Sequence, residues 1–428
     1  MPRRTVIRGA RIIDPSQGLD EKRCLVVEGG QIAGMPKRPP RGGTQLEIDG
    51  RGLWLVPGLV DLHTHLREPG QEYKETVETG AKAAVAGGFT TIVAMPNTDP
   101  PNDGRAVTEL IIERAEEAGM ARVLPAGAIT KGLAGKDLSE MGDLRDAGCV
   151  VFTDDGRPVM NAGLMRRALE YARGLGVPVM THSEDLDLAK GGVMNEGAAA
   201  TRLGLRGVPA SAEEVMVNRD IRLLKDTGGR LHVAHVSTAG AVGAVRDARR
   251  RGLQVTCEVT PHHFTLTDVA CEQFDTSTKM MPPLRSEADR AALLDGMRDG
   301  TVQAIATDHA PHSSIEKDVE FDRAANGIVG LETALSLTLK IVLEGELGLS
   351  KAVELLTSGP AGVLGLDSGT LATGSKADFV LIDPEASWTV VPERFLSKGR
   401  NTPFRGWTLP GKVVGTWISG RRVYRGRL

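Results

Sequence analysis

The sequence predicts an α/β chain: a (β/α)8 barrel of the TIM type with a small discontinuous β-sandwich beside it. Three observations lead there. Eight short apolar runs recur through the middle of the chain, helical patterns lie between them, and both ends carry short alternating strands separated by glycine-rich turns.

The eight runs are Leu55–Leu62, Thr90–Met95, Arg122–Ile129, Cys149–Thr153, Val177–Thr181, Arg230–His235, Leu253–Val259 and Val302–Thr307. They are nearly continuous rather than alternating, which is how strands buried on both faces read. Helical spacing of apolar residues marks Tyr73–Gly88, Gly163–Gly176 and Ala212–Gly229, each closed by glycine. Eight strand–helix alternations over roughly 250 residues are the mark of a closed parallel barrel. An open doubly wound sheet is the alternative, but it would carry a glycine-rich nucleotide loop after its first strand. Neither G-x-G-x-x-G nor G-x-x-x-x-G-K-[ST] occurs.

The ends read differently. Up to about Trp54 the strands are "TVIRGARIID", "CLVVEGGQIAGM" and "TQLEIDG"; from about Thr370 they are "ADFVLIDP", "SWTVV" and "GKVVGTWISGRRVYRGRL". Residues 1–54 and 370–428 are expected to pair into one β-domain flanking a barrel of residues 55–369.

A chain of 428 residues exceeds one ordinary core and suits a large domain with a smaller one. With 41% hydrophobic and 25% charged residues it is globular. A net charge of −3 gives no footprint for nucleic acid or a membrane surface. The most basic segment, Arg246–Gly252, falls on a predicted helix and reads as a solvated face. Cys24, Cys149, Cys257 and Cys271 are scattered, which fits a reducing compartment rather than a disulfide framework. The first ten residues lack the apolar core of a signal peptide, and no run approaches the roughly 18 apolar residues of a membrane span. A soluble cytoplasmic protein is expected.

Barrel chemistry gathers at the C-terminal ends of the strands. There the sequence places His63 and His65, then Asn97, Asp154-Asp155, His182, His235 and Asp308-His309. His63 and His65 are two residues apart, so on a strand both imidazoles share a face. Converging neutral imidazoles suit a divalent transition metal. One His-x-His pair is weak evidence; its combination with His182, His235 and aspartates at matching strand ends is strong. Bland alternatives stand beside each. A strand-end aspartate is often a helix cap, so one of Asp154 and Asp155 is expected to act locally while the other faces the site. His182 opens a helix-cap region with Ser183 and Glu184, and His235 could be a core histidine. His232 lies inside its strand and reads as core. His262 and His263 fit an outer or a structural role equally well. Cys257, His262, His263 and Cys271 have no spacing of a closed zinc site.

The stretches "PGLVDLHTHLREPG", "AGGFTTIVAMPNTDPP", "VFTDDGRPVM", "HVSTAG", "PPLR" and "ATDHAPH" together resemble the class I dihydroorotases of the amidohydrolase superfamily, over essentially the whole chain. The resemblance implies reversible, metal-dependent hydrolysis of the cyclic amide of L-dihydroorotate to N-carbamoyl-L-aspartate in pyrimidine biosynthesis. It implies one or two zinc ions per subunit, with two expected: one held by His63, His65 and Asp308, the other by His182 and His235. Asp155 would bridge them. Related hydantoinases and allantoinases use a carboxylated lysine there, and strand four here ends without a lysine. Asp308 would pass the proton of the attacking water to the departing ring nitrogen. Arg67, Asn97 and His312 would hold the substrate carboxylate, with His65 beside them, and backbone groups at Asn326 and Gly327 would hold the ring. The lesser reading of Arg67 is a surface ion pair with Glu68.

One departure stands out. The family commonly has asparagine before "PPLR", where it bonds the ring, and this chain has Met281, which cannot donate that bond. A hydantoinase- or allantoinase-like cyclic amidase is therefore the alternative, opposed by the carboxylate-binding set. The resemblance implies a homodimer, with a transcarbamoylase complex left open. The polar segment Ser313–Ala325 could be a lid or an ordinary barrel loop.

Overall fold

The computed structural model describes residues 4–40 and 45–426. Thr44, Arg427 and Leu428, at the edges of two expected strands, lie outside the described residues, as do residues 1–3.

Eight parallel strands form the barrel: Leu59–Thr64, Phe89–Ala94, Arg122–Gly127, Val151–Phe152, Val179–Thr181, Leu231–Val233, Val255–Val259 and Ala304–Ile305. Each pairs with the next in chain order. The first and eighth meet where Thr64 bridges His309 and the His65 N–H donates to the His309 carbonyl at 2.8 Å. Val60, Leu62, Val93, Ala126, Val151, Met180 and Ala304 fill the interior. A second apolar layer, including Phe89, Ile92, Ile111, Phe152, Leu169 and Leu224, seats the helices on the outside. Burying such a side chain fully stabilises the fold by roughly 1.5–3 kcal/mol.

The helices follow the sequence signals. Thr76 and Thr79 form a capping box that starts Val77–Gly87, and Gly88 at φ 92° ends it, so the second barrel strand begins at once. The expected start at Tyr73 moves four residues on because Thr76 supplies the cap. Helices Ala162–Gly174 and Ser211–Thr227 lie where the periodicity puts them. Arg246 sits on helix Ala239–Arg250 and pairs with Asp299 at 2.7 Å on its outer face.

The run Leu55–Leu62 corrects the reading of one strand. It divides at Gly58 into Trp54–Pro57, which belongs to the other sheet, and the barrel strand Leu59–Thr64. The Gly58 N–H turns to the Asp378 carbonyl at 2.9 Å, and a Cβ at Gly58 would lie 2.2 Å from Thr90 Oγ1.

Trp54–Pro57 joins the two ends of the chain. It runs parallel to Arg4–Asp14 and antiparallel to Phe379–Thr389. The resulting eight-stranded sheet adds Leu19–Glu28, Gln31–Gly34 and Gln45–Asp49 on one side and Thr408–Ile418 and Arg421–Arg425 on the other. Ile7, Ile12, Leu25, Leu55, Phe379 and Trp417 form its core, with Phe379 and Trp417 stacked at 4.8 Å. Arg122 ties the barrel to this sheet through Asp378. Among the described residues no helix is long and apolar enough to cross a membrane.

Candidate active site

The first barrel strand is buried along its whole length and delivers His63 and His65 to one rim. Buried Asp61 accepts from the His63 N–H at 3.1 Å and from Thr307 Oγ1 at 2.6 Å, which fastens this strand end to the eighth. The rim is strained: Arg67, His235 and Asp308 have φ of 62°, 34° and 46°. Non-glycine residues rarely take such values and concentrate at functional sites when they do.

Six side chains meet there. His63 Nε2 lies 3.2 Å from Asp155 Oδ1 and 3.6 Å from Asp308 Oδ1. His65 Nε2 lies 3.1 Å from Asp308 Oδ1 and 3.5 Å from Asp155 Oδ2. His182 Nδ1 and His235 Nε2 lie 3.6 Å and 3.5 Å from Asp155 Oδ1, and 3.0 Å from each other. Two buried sets result, His63–His65–Asp155 and Asp155–His182–His235, each with one ligand atom per residue within 4.8 Å of the others. Asp155 is common to both.

Imidazole nitrogen with carboxylate oxygen is a donor set for zinc and similar divalent ions. Two of these atoms, His63 Nε2 and Asp155 Oδ1, are buried without a hydrogen-bond partner. Such atoms are costly to leave unmatched, and a cation between them would satisfy both. The electrostatics agree. Burial pushes the Asp155 and Asp308 carboxyls up, but the surrounding imidazoles outweigh it and hold both well below the usual range. Burial likewise opposes charge on His182, yet Asp155 and Glu184 raise it to about 10. The cluster is built to hold positive charge between carboxylates, and cations binding there would displace those protons.

Three of the four imidazoles are held from behind. His63 Nδ1 is 3.0 Å from Glu258 Oε1, His65 Nδ1 is 2.9 Å from Asn97 Oδ1, and His182 Nε2 is 3.2 Å from Glu184 Oε2. His235 Nδ1 is buried without a partner. The adjacent aspartates divide their work. Asp154 accepts from the N–H groups of Ile129 and Thr130 at 2.7 and 3.0 Å and from the Thr130 hydroxyl, so it braces a turn while Asp155 faces the cluster.

A cavity of about 450 Å³ opens over the cluster, lined by His65, Arg67, Asn97, His312, Asn326 and Gly327, with Asp308 at its base. Arg67 is buried and donates through Nε to the Pro311 carbonyl at 3.3 Å. Its neighbour Glu68 reaches Arg114 instead, at 3.4 Å, so the Arg67–Glu68 surface pair does not form. His312 Nε2 sits 2.8 Å from the Asn326 carbonyl. The Gly327 N–H donates to the Lys279 carbonyl and its own carbonyl accepts from Asn401, so each of these backbone groups already has a protein partner. Gly327 has φ 125°, and a Cβ there would meet Ala310 Cβ at 2.6 Å.

His262 and His263 follow the seventh barrel strand, in helix Pro261–Thr265. His263 bonds Thr260 Oγ1 at 2.7 Å and the Pro282 carbonyl at 3.0 Å, a structural role. His262 Nε2 is buried with no hydrogen-bond partner. Met281 lines the cavity and packs on Ala189, Val208 and Ala212. The segment after the eighth strand is tied down. Lys74 pairs with Glu316 at 2.7 Å, and Lys317 donates to the carbonyls of Thr276, Lys279 and Ala325. Sequence reasoning does not single out Glu258, Glu75, whose Oε2 lies 3.2 Å from His309 Nε2, or the cavity residues Leu186, Ala189 and Lys190. A lone carboxylate inside the apolar run Leu253–Val259 was the available signal for Glu258.

The family described as dihydro-orotase-like matches residues 52–241. A protein named dihydroorotase from Anaeromyxobacter dehalogenans (strain 2CP-C) is 60% identical over 420 residues, which are 98% of this chain and 97% of its own. The chain belongs to the dihydroorotase family. Another dihydroorotase, from Syntrophus aciditrophicus (strain SB), is 52% identical over 98% of this chain and 99% of its own. Among solved structures, the L-hydantoinase (dihydropyrimidinase) from Arthrobacter aurescens superposes with a TM-score of 0.89 at 25% identity, over 99% of this chain and 96% of that one. The barrel with its β-rich flank is thus the architecture of the amidohydrolases, and this member of the dihydroorotase family is a hydrolase of that type.

Proposed function

We propose that this chain hydrolyses the cyclic amide of L-dihydroorotate, reversibly, to N-carbamoyl-L-aspartate in pyrimidine synthesis, with two zinc ions per subunit. The observation that carries the reading is the convergence of four imidazoles and two carboxylates on one rim, with two of their atoms buried and unmatched. Full-length relatives named dihydroorotase support the substrate.

His63, His65 and Asp308 would hold one ion, His182 and His235 the other, and Asp155 both. Bound there, divalent cations would polarise a carbonyl and lower the pKa of a water to about 7. The chain's own residues do the rest. Arg67 takes the substrate carboxylate; a guanidinium does this bidentately. Asn97 has given its oxygen to His65, so its amide N–H₂ is the group left to face the substrate. His312 stands beside them, its Nδ1 without a hydrogen-bond partner. Asp308, ionised at the base of the cavity, accepts the proton of the attacking water and delivers it to the ring nitrogen as the amide opens. The division of the chain into a β-sheet drawn from both ends and a barrel belongs to the same reading, with Gly58 as the first boundary because Trp54–Pro57 pairs in the end sheet.

Steady-state rates on L-dihydroorotate, hydantoin and allantoin test it. Dihydroorotate is expected to turn over fastest by orders of magnitude, and Arg67→Met to raise its KM by about 10- to 100-fold, the worth of a charge-assisted pair. Preference for hydantoin would overturn the assignment.

A further inference from the structure

The anchors behind the site imidazoles are unequal. Asn97 and Glu184 line the open cavity, whereas Glu258 is fully buried in the seventh barrel strand. Its Oε1 lies 3.0 Å from His63 Nδ1, and its Oε2 lies 3.1 Å from Nε2 of His232, also fully buried. His232 Nδ1 in turn is 2.8 Å from Thr256 Oγ1. The strand pairing makes this chain of contacts. His232 stands opposite Thr256 in the parallel register of the sixth and seventh strands, and Glu258, two residues on, projects from the same face as Thr256.

A carboxylate and an imidazole in the interior are costly unless paired, and a purely packing role would be met by apolar side chains. Each contact here has a direction. Glu258 accepts at His63 Nδ1, which leaves Nε2 as the lone pair facing Asp155 and Asp308. A carboxylate held at one oxygen alone can swing; one held at both cannot. We propose that Glu258 and His232 are positioning residues for His63: Glu258 sets its tautomer and ring attitude, and His232, steadied by Thr256, locks Glu258. The inference rests on the metal centre proposed above.

The test compares zinc affinity, by competition with a chelating dye, and the visible spectrum of the cobalt-substituted protein in wild type, His232→Leu and His232→Gln. Loss of such an outer partner costs 10- to 100-fold in metal affinity. The leucine variant is expected to lose that much at one of two zinc equivalents and to change the cobalt spectrum. The glutamine variant, whose amide N–H can still reach Glu258, is expected to recover most of both. A folded leucine variant with wild-type affinities and spectrum overturns the proposal. Should it fail to fold, Glu258→Gln carries the same comparison at constant volume: its amide loses an acceptor toward one histidine, so the same loss is expected, and wild-type affinity overturns. Wild-type protein that binds no zinc overturns the metal centre itself, a different result from equal binding by wild type and variants.

Discussion

Asp308 Oδ1 lies 3.1 Å from His65 Nε2 and leans into the cavity from a backbone at φ 46°. The residue therefore both borders the His–Asp cluster proposed to hold metal and faces the cavity proposed to hold the substrate ring. Asp308→Asn keeps an oxygen for the cluster but cannot shuttle a proton. It is expected to lower kcat by about 10²–10⁴-fold, the range for a positioned acid–base group, with little change in Tm. Unchanged kcat would remove Asp308 from the reaction.

Neighbouring carboxylates with different partners make a sharp contrast. Asp154→Ala leaves buried N–H groups of Ile129 and Thr130 unmatched, at a cost of about 2–3 kcal/mol, and should lower Tm by several degrees while leaving bound metal intact. Asp155→Asn should do the reverse, with metal lost and Tm close to that of chelated wild type. Elemental analysis and calorimetry on both variants check this; the opposite pattern would exchange their roles.

Met281 lines the cavity wall with a thioether, at the position where the resemblance implied an asparagine amide. Met281→Asn is expected to raise kcat/KM for dihydroorotate by about fivefold, the value of one hydrogen bond of about 1 kcal/mol. A fall in kcat/KM would mean that this pocket has been rebuilt around the methionine.

Glu332 accepts the N–H groups of Leu396 and Ser397 at 2.9 and 3.2 Å, yet burial raises its carboxyl from 4.5 to about 7. The protonated form is favoured in the folded chain, so its stabilising contribution is complete below pH 4.5 and lost as pH rises through 7. Glu332→Gln keeps the accepting oxygen and does not titrate. Its stability relative to wild type, followed by Tm, should climb between pH 4.5 and 7 and then level off, by on the order of 3 kcal/mol. A pH-independent difference would show that Glu332 stays ionised throughout.

The convergence of the His–Asp cluster was legible in the sequence because imidazoles two residues apart at a strand end can only share a face, and because Asp155, His182, His235 and Asp308 recur at equivalent ends of other strands. The eightfold alternation carried the barrel for the same reason. The helpers were hidden by the fold. Glu258 meets His63 across 195 positions, through a register that places His232 opposite Thr256. The backbone groups at Asn326 and Gly327 were named through the resemblance alone, and their partners Lys279, His312 and Asn401 emerge only in the fold. The break at Gly58 depends on Asp378 and Thr90, one from the far end of the chain.

The central claim is that Asp155 joins two cation sites that the reaction requires. Zinc per chain, measured by elemental analysis during chelation and stepwise zinc return while dihydroorotate turnover is followed, tests it most directly. Two equivalents per chain are expected, with turnover lost on chelation and restored as zinc returns. Full turnover by protein stripped of metal would contradict it.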